Sequence, residues 1–173
     1  MSTVVLGKGL WLLAMLFIGA GSGLASGNGG ATASGPASDN RAVLVGPAAC
    51  RIGVPAGWSP RDVRWSGSCR DGLADGRGVL REFVDGRVAR IYYGRLLAGQ
   101  AALGVIEQPD GYVAGRFEAG RAVRDGDRNT LIDAFAEAKA AAEQVSQGYR
   151  QIGNLPSSRF YFEKALQLGR QLD

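Results

Sequence analysis

Glycines recur in pairs five residues apart through the middle of this chain: Gly67 with Gly72, Gly94 with Gly99, and Gly115 with Gly120. The leading glycines stand 27 and then 21 residues apart, a ragged period near the lower end of what repeat folds use. Around them Trp65, Gly67 and Cys69, and again Val113, Gly115 and Phe117, alternate with the two-residue period of a half-buried strand. Asp71-Gly72, Asp75-Gly76, Asp85-Gly86 and Asp110-Gly111 accept the left-handed conformations of tight hairpin turns. Leu80 to Val84 and Val88 to Gly94 supply β-branched and aromatic residues for strands. Glycines inside the strands leave room for aromatic rings to lie across the backbone. The pattern predicts a thin, Gly-rich antiparallel sheet between Arg64 and Gly126, with Ala42 to Val45 as a further short strand.

The ends of the chain read differently. Lys8 precedes an uncharged run from Leu10 to Ala20, followed by Gly23-Leu24-Ala25, a small-x-Ala cleavage pattern. The run falls short of the roughly 20 residues that cross a bilayer, so residues 1–25 are expected to be a signal peptide or, if retained, an N-terminal anchor. Residues 26–41 are nearly all small and polar and predict a flexible Gly/Ser/Ala linker. The expected location is outside the cytoplasm, in the periplasm or on the outer face of the inner membrane. In that oxidising setting the two cysteines, Cys50 and Cys69, are expected to form one disulfide, worth about 3 kcal/mol for a loop of this length.

Residues 42–126 thus form the expected β domain with its disulfide, and they resemble the MORN repeat family. The family's opening, an aromatic two residues before a glycine with a further glycine five residues on and then a Gly-x-Gly pair, is matched by Trp65-Ser-Gly67, Gly72 and Gly76-Arg-Gly78. Gly94, Gly99, Gly115, Phe117 and Gly120 match in part. Tyr92 is the aromatic in register in the second copy, Val113 stands where the third would carry one, and both later copies lack the Gly-x-Gly pair. The resemblance covers about 60 residues and implies a curved strand meander that serves as a protein-binding or scaffolding module, with lipid contact sometimes proposed. A hairpin-rich secreted sheet unrelated to that family is the alternative.

From Asp125 the composition changes. Thr130 and Asp133 have the spacing of a capping pair, and Leu131, Phe135, Ala138, Ala142, Val145 and Tyr149 recur on one helical face. Pro156 with the serines after it predicts a second helix, carrying Tyr161, Ala165, Leu168 and Leu172, with Phe162 and Leu166 beside that stripe. Residues 127–173 are therefore expected to be a helical hairpin with helices of about 18 and 14 residues. It either covers the sheet or offers an assembly interface. The fold class is mainly β with C-terminal helices.

The chain contains no His, which removes the commonest general base and the commonest neutral metal ligand. Glu82, Asp85, Glu107 and Glu118 are carboxylates in the sheet region, but most acids there precede glycine in turns, and no nucleophile or phosphate-loop motif occurs. No catalytic residue, metal or cofactor is expected. Residues 41 to 124 carry 13 Arg and 8 acids, a net of +5, without a basic run. This is a solvated surface or a site for anionic lipid or polysaccharide, and nothing places base-reading side chains for nucleic acid. The expected partner is another envelope protein or assembly subunit. Trp58, Trp65, Tyr92, Tyr93, Tyr112 and Phe117 are the expected contact aromatics, with Arg90, Arg95 and Arg116 for polar or anion contacts; core packing is the alternative for each aromatic.

Overall fold

The computed structural model describes residues 43–123 and 126–172, so the expected leader at 1–25 and linker at 26–41 lie outside the described residues. Eight strands precede two helices: β1 (Leu44–Val45), β2 (Ile52–Gly53), β3 (Val63–Arg70), β4 (Leu73–Val84), β5 (Arg87–Leu97), β6 (Gln100–Gln108), β7 (Gly111–Glu118), β8 (Arg121–Ala122), α1 (Arg128–Gln151) and α2 (Leu155–Gly169). β3 to β8 form one sheet whose strand order follows the chain order, with every ladder antiparallel. β1 and β2 pair separately.

Turn chemistry explains this order. Asp71-Gly72, Asp85-Gly86, Ala98-Gly99 and Ala119-Gly120 each place two successive residues at positive φ, as in the primed two-residue turns whose twist suits a hairpin. Asp75-Gly76 is not a turn. It lies within β4 at a register shift opposite β3, where the Ser68 hydroxyl donates to the Asp75 carbonyl. The two Ala-Gly turns carry no sequence signal of the Asp-Gly kind, because Ala adopts the left-handed region only where the surrounding hairpin imposes it.

Glycines line up across five strands. Gly67 faces Gly78, Gly78 faces Gly94, Gly94 faces Gly104, and Gly104 faces Gly115. Aromatic rings lie on this row: a methyl group at Gly67 would stand 2.4 Å from the Trp65 ring, and one at Gly94 would stand 2.7 Å from the Tyr92 hydroxyl. The row is smooth because the rings need its space.

Both faces of the sheet are covered. On one, Val79, Ile91, Tyr93 and Val105 pack against Ala134, Ala138, Ala142 and Val145 of α1 and Tyr161, Ala165 and Leu168 of α2. Fully buried alanines let α1 approach the sheet closely. On the other, Leu80, Tyr92, Leu96, Ile106 and Phe117 meet Ile52, Val54 and Trp58 from the segment preceding β3. That segment crosses the ends of three hairpins: the amides of Arg51, Gly53 and Ala56 donate to the carbonyls of Gly72, Gly99 and Gly120 at 2.9, 2.6 and 2.8 Å. The Cys50–Cys69 disulfide, with Cα atoms 5.5 Å apart, fixes its start to β3.

The helices depart from expectation at their ends. Asp127, not Thr130, caps α1: its carboxylate accepts from the Asn129 and Thr130 amides, and Thr130 is buried inside the first turn. α1 runs for 24 residues, through Gly148, because its packing on the sheet outweighs glycine's modest helix penalty. α2 spans 15 residues, capped by Asn154 with Pro156 in its first turn. Leu131 is exposed rather than part of the packed stripe, and Phe162 and Leu166 are exposed as well.

Candidate functional site

The expected contact residues divide between the two faces. Tyr92 and Tyr93 have no exposed surface at all and pack the core, while Trp58 and Phe117 are buried in it but for an edge that each keeps at the surface. The Tyr92 hydroxyl lies 2.8 and 2.9 Å from the carbonyls of Arg95 and Leu103, and its ring meets the edge of Phe117 at 5.4 Å. On the helix-covered face Tyr93 donates to Glu107, which also accepts from Lys164 of α2, while Gln167 donates to the Tyr112 hydroxyl at 2.8 Å. Burial, reinforced by the Glu107 carboxylate, pushes the Tyr93 hydroxyl far above its ordinary range, and burial does the same to Tyr92. Trp65 is half-buried, its indole lying on the glycine row and donating to the Ser68 carbonyl at 2.9 Å.

Of the three expected arginines, Arg90 and Arg95 are committed to carboxylates of the fold. Arg95 and Arg77 face each other across β4 and β5, and both bind one carboxylate, Glu137 of α1, through bonds of 2.9 to 3.0 Å. Burial pushes that carboxyl upward, but the two guanidinium bonds outweigh it and hold Glu137 below its ordinary value. Arg90 grips the buried Glu82 through two bonds of 2.6 and 2.9 Å, reaches the Gly57 carbonyl, and lies 5.3 Å from the Trp58 ring centroid. Arg116 is exposed on β7. Glu82 and Glu107 occupy opposite faces of the sheet. Asp75 of β4 accepts from the Ala98 amide.

Three of the expected residues converge on one recess. A cleft of about 450 Å³ opens on the face opposite the helices, with Trp58 as a wall, Ile106, Val113 and Phe117 as its floor, and Arg90 and Arg121 at its margin. Arg90 is neutralised by Glu82, whereas Arg121 has no carboxylate partner among the described residues. The arrangement offers a recess with an apolar floor and a polar margin of Arg90, Gln108 and Arg121, suited to an apolar side chain flanked by an acid. Neither Arg121 nor Glu137 was marked by the sequence pattern. Glu137 left a trace, as the single acid on the alanine-rich buried face of α1.

Among the described residues no group of three or more acids and cysteines could hold a metal ion, and no helix is long and apolar enough to cross a membrane. Compared with protein-family models, curated proteins and solved structures, the chain matches none of them.

Proposed function

We propose that the chain is an exported, envelope-associated binding or scaffolding module of MORN-like build, which captures an extended segment of another envelope protein. The cleft between Trp58 and Phe117 carries this reading. It combines an apolar floor with the free guanidinium of Arg121, and so favours a partner segment that presents an apolar side chain next to a carboxylate. The glycine row under aromatic rings and the turn glycines at Gly72, Gly99 and Gly120 support the MORN-like description. The competing reading, an anionic lipid or polysaccharide surface, loses Arg90 to Glu82, while Arg77 and Arg95 share the single carboxylate of Glu137 and keep one net positive charge between them.

The test is photo-crosslinking of the full chain in envelope fractions at low and high salt. Two variants are compared: Ala56→Trp, which fills the cleft mouth from an exposed position, and Arg121→Glu, which reverses the rim charge. A defined protein crosslinked at the cleft in both salts, lost with Ala56→Trp and weakened with Arg121→Glu, supports the reading. Attachment only to anionic vesicles or polysaccharide, disappearing at high salt, refutes it.

A further inference from the structure

A second recess has no part in that function. It lies between the late turns of α1 and the exposed edge of β3, holds about 420 Å³, and is lined by Ser66, Tyr149, Gln144, Gln147, Gln151 and Gly148. Directly behind it stands Arg81, which differs from its neighbours in its pairing. Arg77 and Arg95 share Glu137 on the same face, and Arg64, opposite Arg81 on β3, is bound by both oxygens of Asp62 and lies on the Phe83 ring. Arg81 shares the Phe83 ring at 5.7 Å from its centroid, but it has no carboxylate partner among the described residues, and its Nε is buried without a hydrogen-bond partner. Like charges directly opposite on neighbouring strands repel, and Asp62 answers only one of the two.

The side-chain hydrogen bond that Arg81 does make leads into the recess. Its Nη2 donates to the Ser66 hydroxyl at 3.4 Å, so the Ser66 proton is free to donate elsewhere. The Tyr149 hydroxyl lies 3.5 Å from the Ser66 oxygen. At 3.5 Å that contact is weak, so both hydroxyls can turn their protons to an oxyanion with the guanidinium behind them. Beside them stand three glutamines spaced three and four residues apart along α1: Gln144 already donates to the Arg77 carbonyl at 3.4 Å, and the amides of Gln147 and Gln151 each donate and accept, as vicinal hydroxyls require. At Gly148 an added methyl would meet nothing within 4 Å, so the helix leaves this wall open.

We infer that this recess binds an acidic saccharide, its carboxylate held by the Ser66 and Tyr149 hydroxyls with Arg81 supplying charge from behind, and its ring hydroxyls met by the α1 glutamines. The inference is independent of the partner cleft, which opens on the opposite face of the sheet.

Isothermal titration of the full chain with glucuronate, glucose and inorganic phosphate tests it. Glucuronate is expected to bind saturably, and glucose, with the same ring but no carboxylate, about tenfold more weakly or worse. Arg81→Gln should lower glucuronate affinity about tenfold, the scale of one charge-supported hydrogen bond. Gly148→Leu fills the recess from an open helix face without touching Arg81, and should abolish binding while far-UV circular dichroism is unchanged. Absence of saturable glucuronate binding to the native chain, or undiminished binding to Gly148→Leu, overturns the site. Phosphate binding tighter than glucuronate overturns the saccharide assignment.

Discussion

Replacing Gly94 with Ala tests whether the glycine row is a structural requirement. The added methyl would stand 2.4 Å from the Leu103 carbonyl oxygen, 2.7 Å from the Tyr92 hydroxyl and 2.8 Å from the Gly104 Cα. Two of these neighbours are backbone of β6, already at ladder distance, so relief means parting β5 from β6 rather than rotating a side chain. Overpacking of this kind costs about 1–3 kcal/mol, and displacing the Tyr92 hydroxyl from its two carbonyls adds about 1 kcal/mol. A loss of about 2–4 kcal/mol is expected, a large share of the stability of a domain this size. Gly86→Ala is the control: φ there is +74° with nothing within 4 Å, so only left-handed strain of about 1–2 kcal/mol is imposed. Urea unfolding followed by tryptophan fluorescence and far-UV circular dichroism separates the two. With an m-value of about 2 kcal/mol per molar, Gly94→Ala should lower the midpoint by about 1–2 M. A Gly94→Ala midpoint within about 0.3 M of Gly86→Ala would refute the packing argument.

Glu137→Gln should cost about 1–2 kcal/mol at neutral pH, discounted for the partial exposure of Arg77 and Arg95. Because the folded-state carboxyl lies below its ordinary value of 4.5, its contribution is present above that pH and is lost as pH falls through the depressed value. The native and variant urea midpoints should therefore converge in acid, and a gap that stays constant down to pH 2 would contradict the pairing. Replacing Cys50 and Cys69 together by Ala should cost about 3 kcal/mol, read as a lower thermal midpoint that reducing agent no longer changes.

The strands were legible because their signals are local. Asp71-Gly72 and Asp85-Gly86 announce their hairpins, and the alternation around Trp65 and Phe117 sets which side chains share a face. Cover by the helical hairpin was one of its two expected roles, whereas the crossing segment's bonds to three turns lay beyond the sequence. Tyr92 and Tyr93 are adjacent, so they point to opposite sides, and each is suited equally to contact or to core until the helices and the crossing segment are in place. The α1 cap was missed because Asp127 lies in an otherwise polar stretch, while Thr130 matched the capping spacing and is held as a partner of that cap. Arg81 was invisible as a site residue. Its significance is the lack of an acid, which only the fold reveals.

The crossing segment also accounts for the raggedness of the glycine period. Within each pair the first glycine lies in the row across the sheet and the second forms the turn whose carbonyl accepts from Arg51, Gly53 or Ala56. One extended segment bonding three turns requires all three to reach the same height above the row, and the five-residue interval supplies that. Among the described residues no such segment joins the turns at the other end. There the row glycines are 16 residues apart between Gly78 and Gly94 but 11 between Gly104 and Gly115, and this difference makes most of the change from 27 to 21. Two glycines inserted after Gly86 should therefore cost about 0.6 kcal/mol, the loop-closure penalty for doubling a short loop. The same insertion after Gly99 displaces a turn that both accepts from Gly53 and donates to the Ala74 carbonyl, and should cost about 2 kcal/mol more. Equal urea midpoints for the two insertions would show that the crossing segment does not hold the hairpins in register.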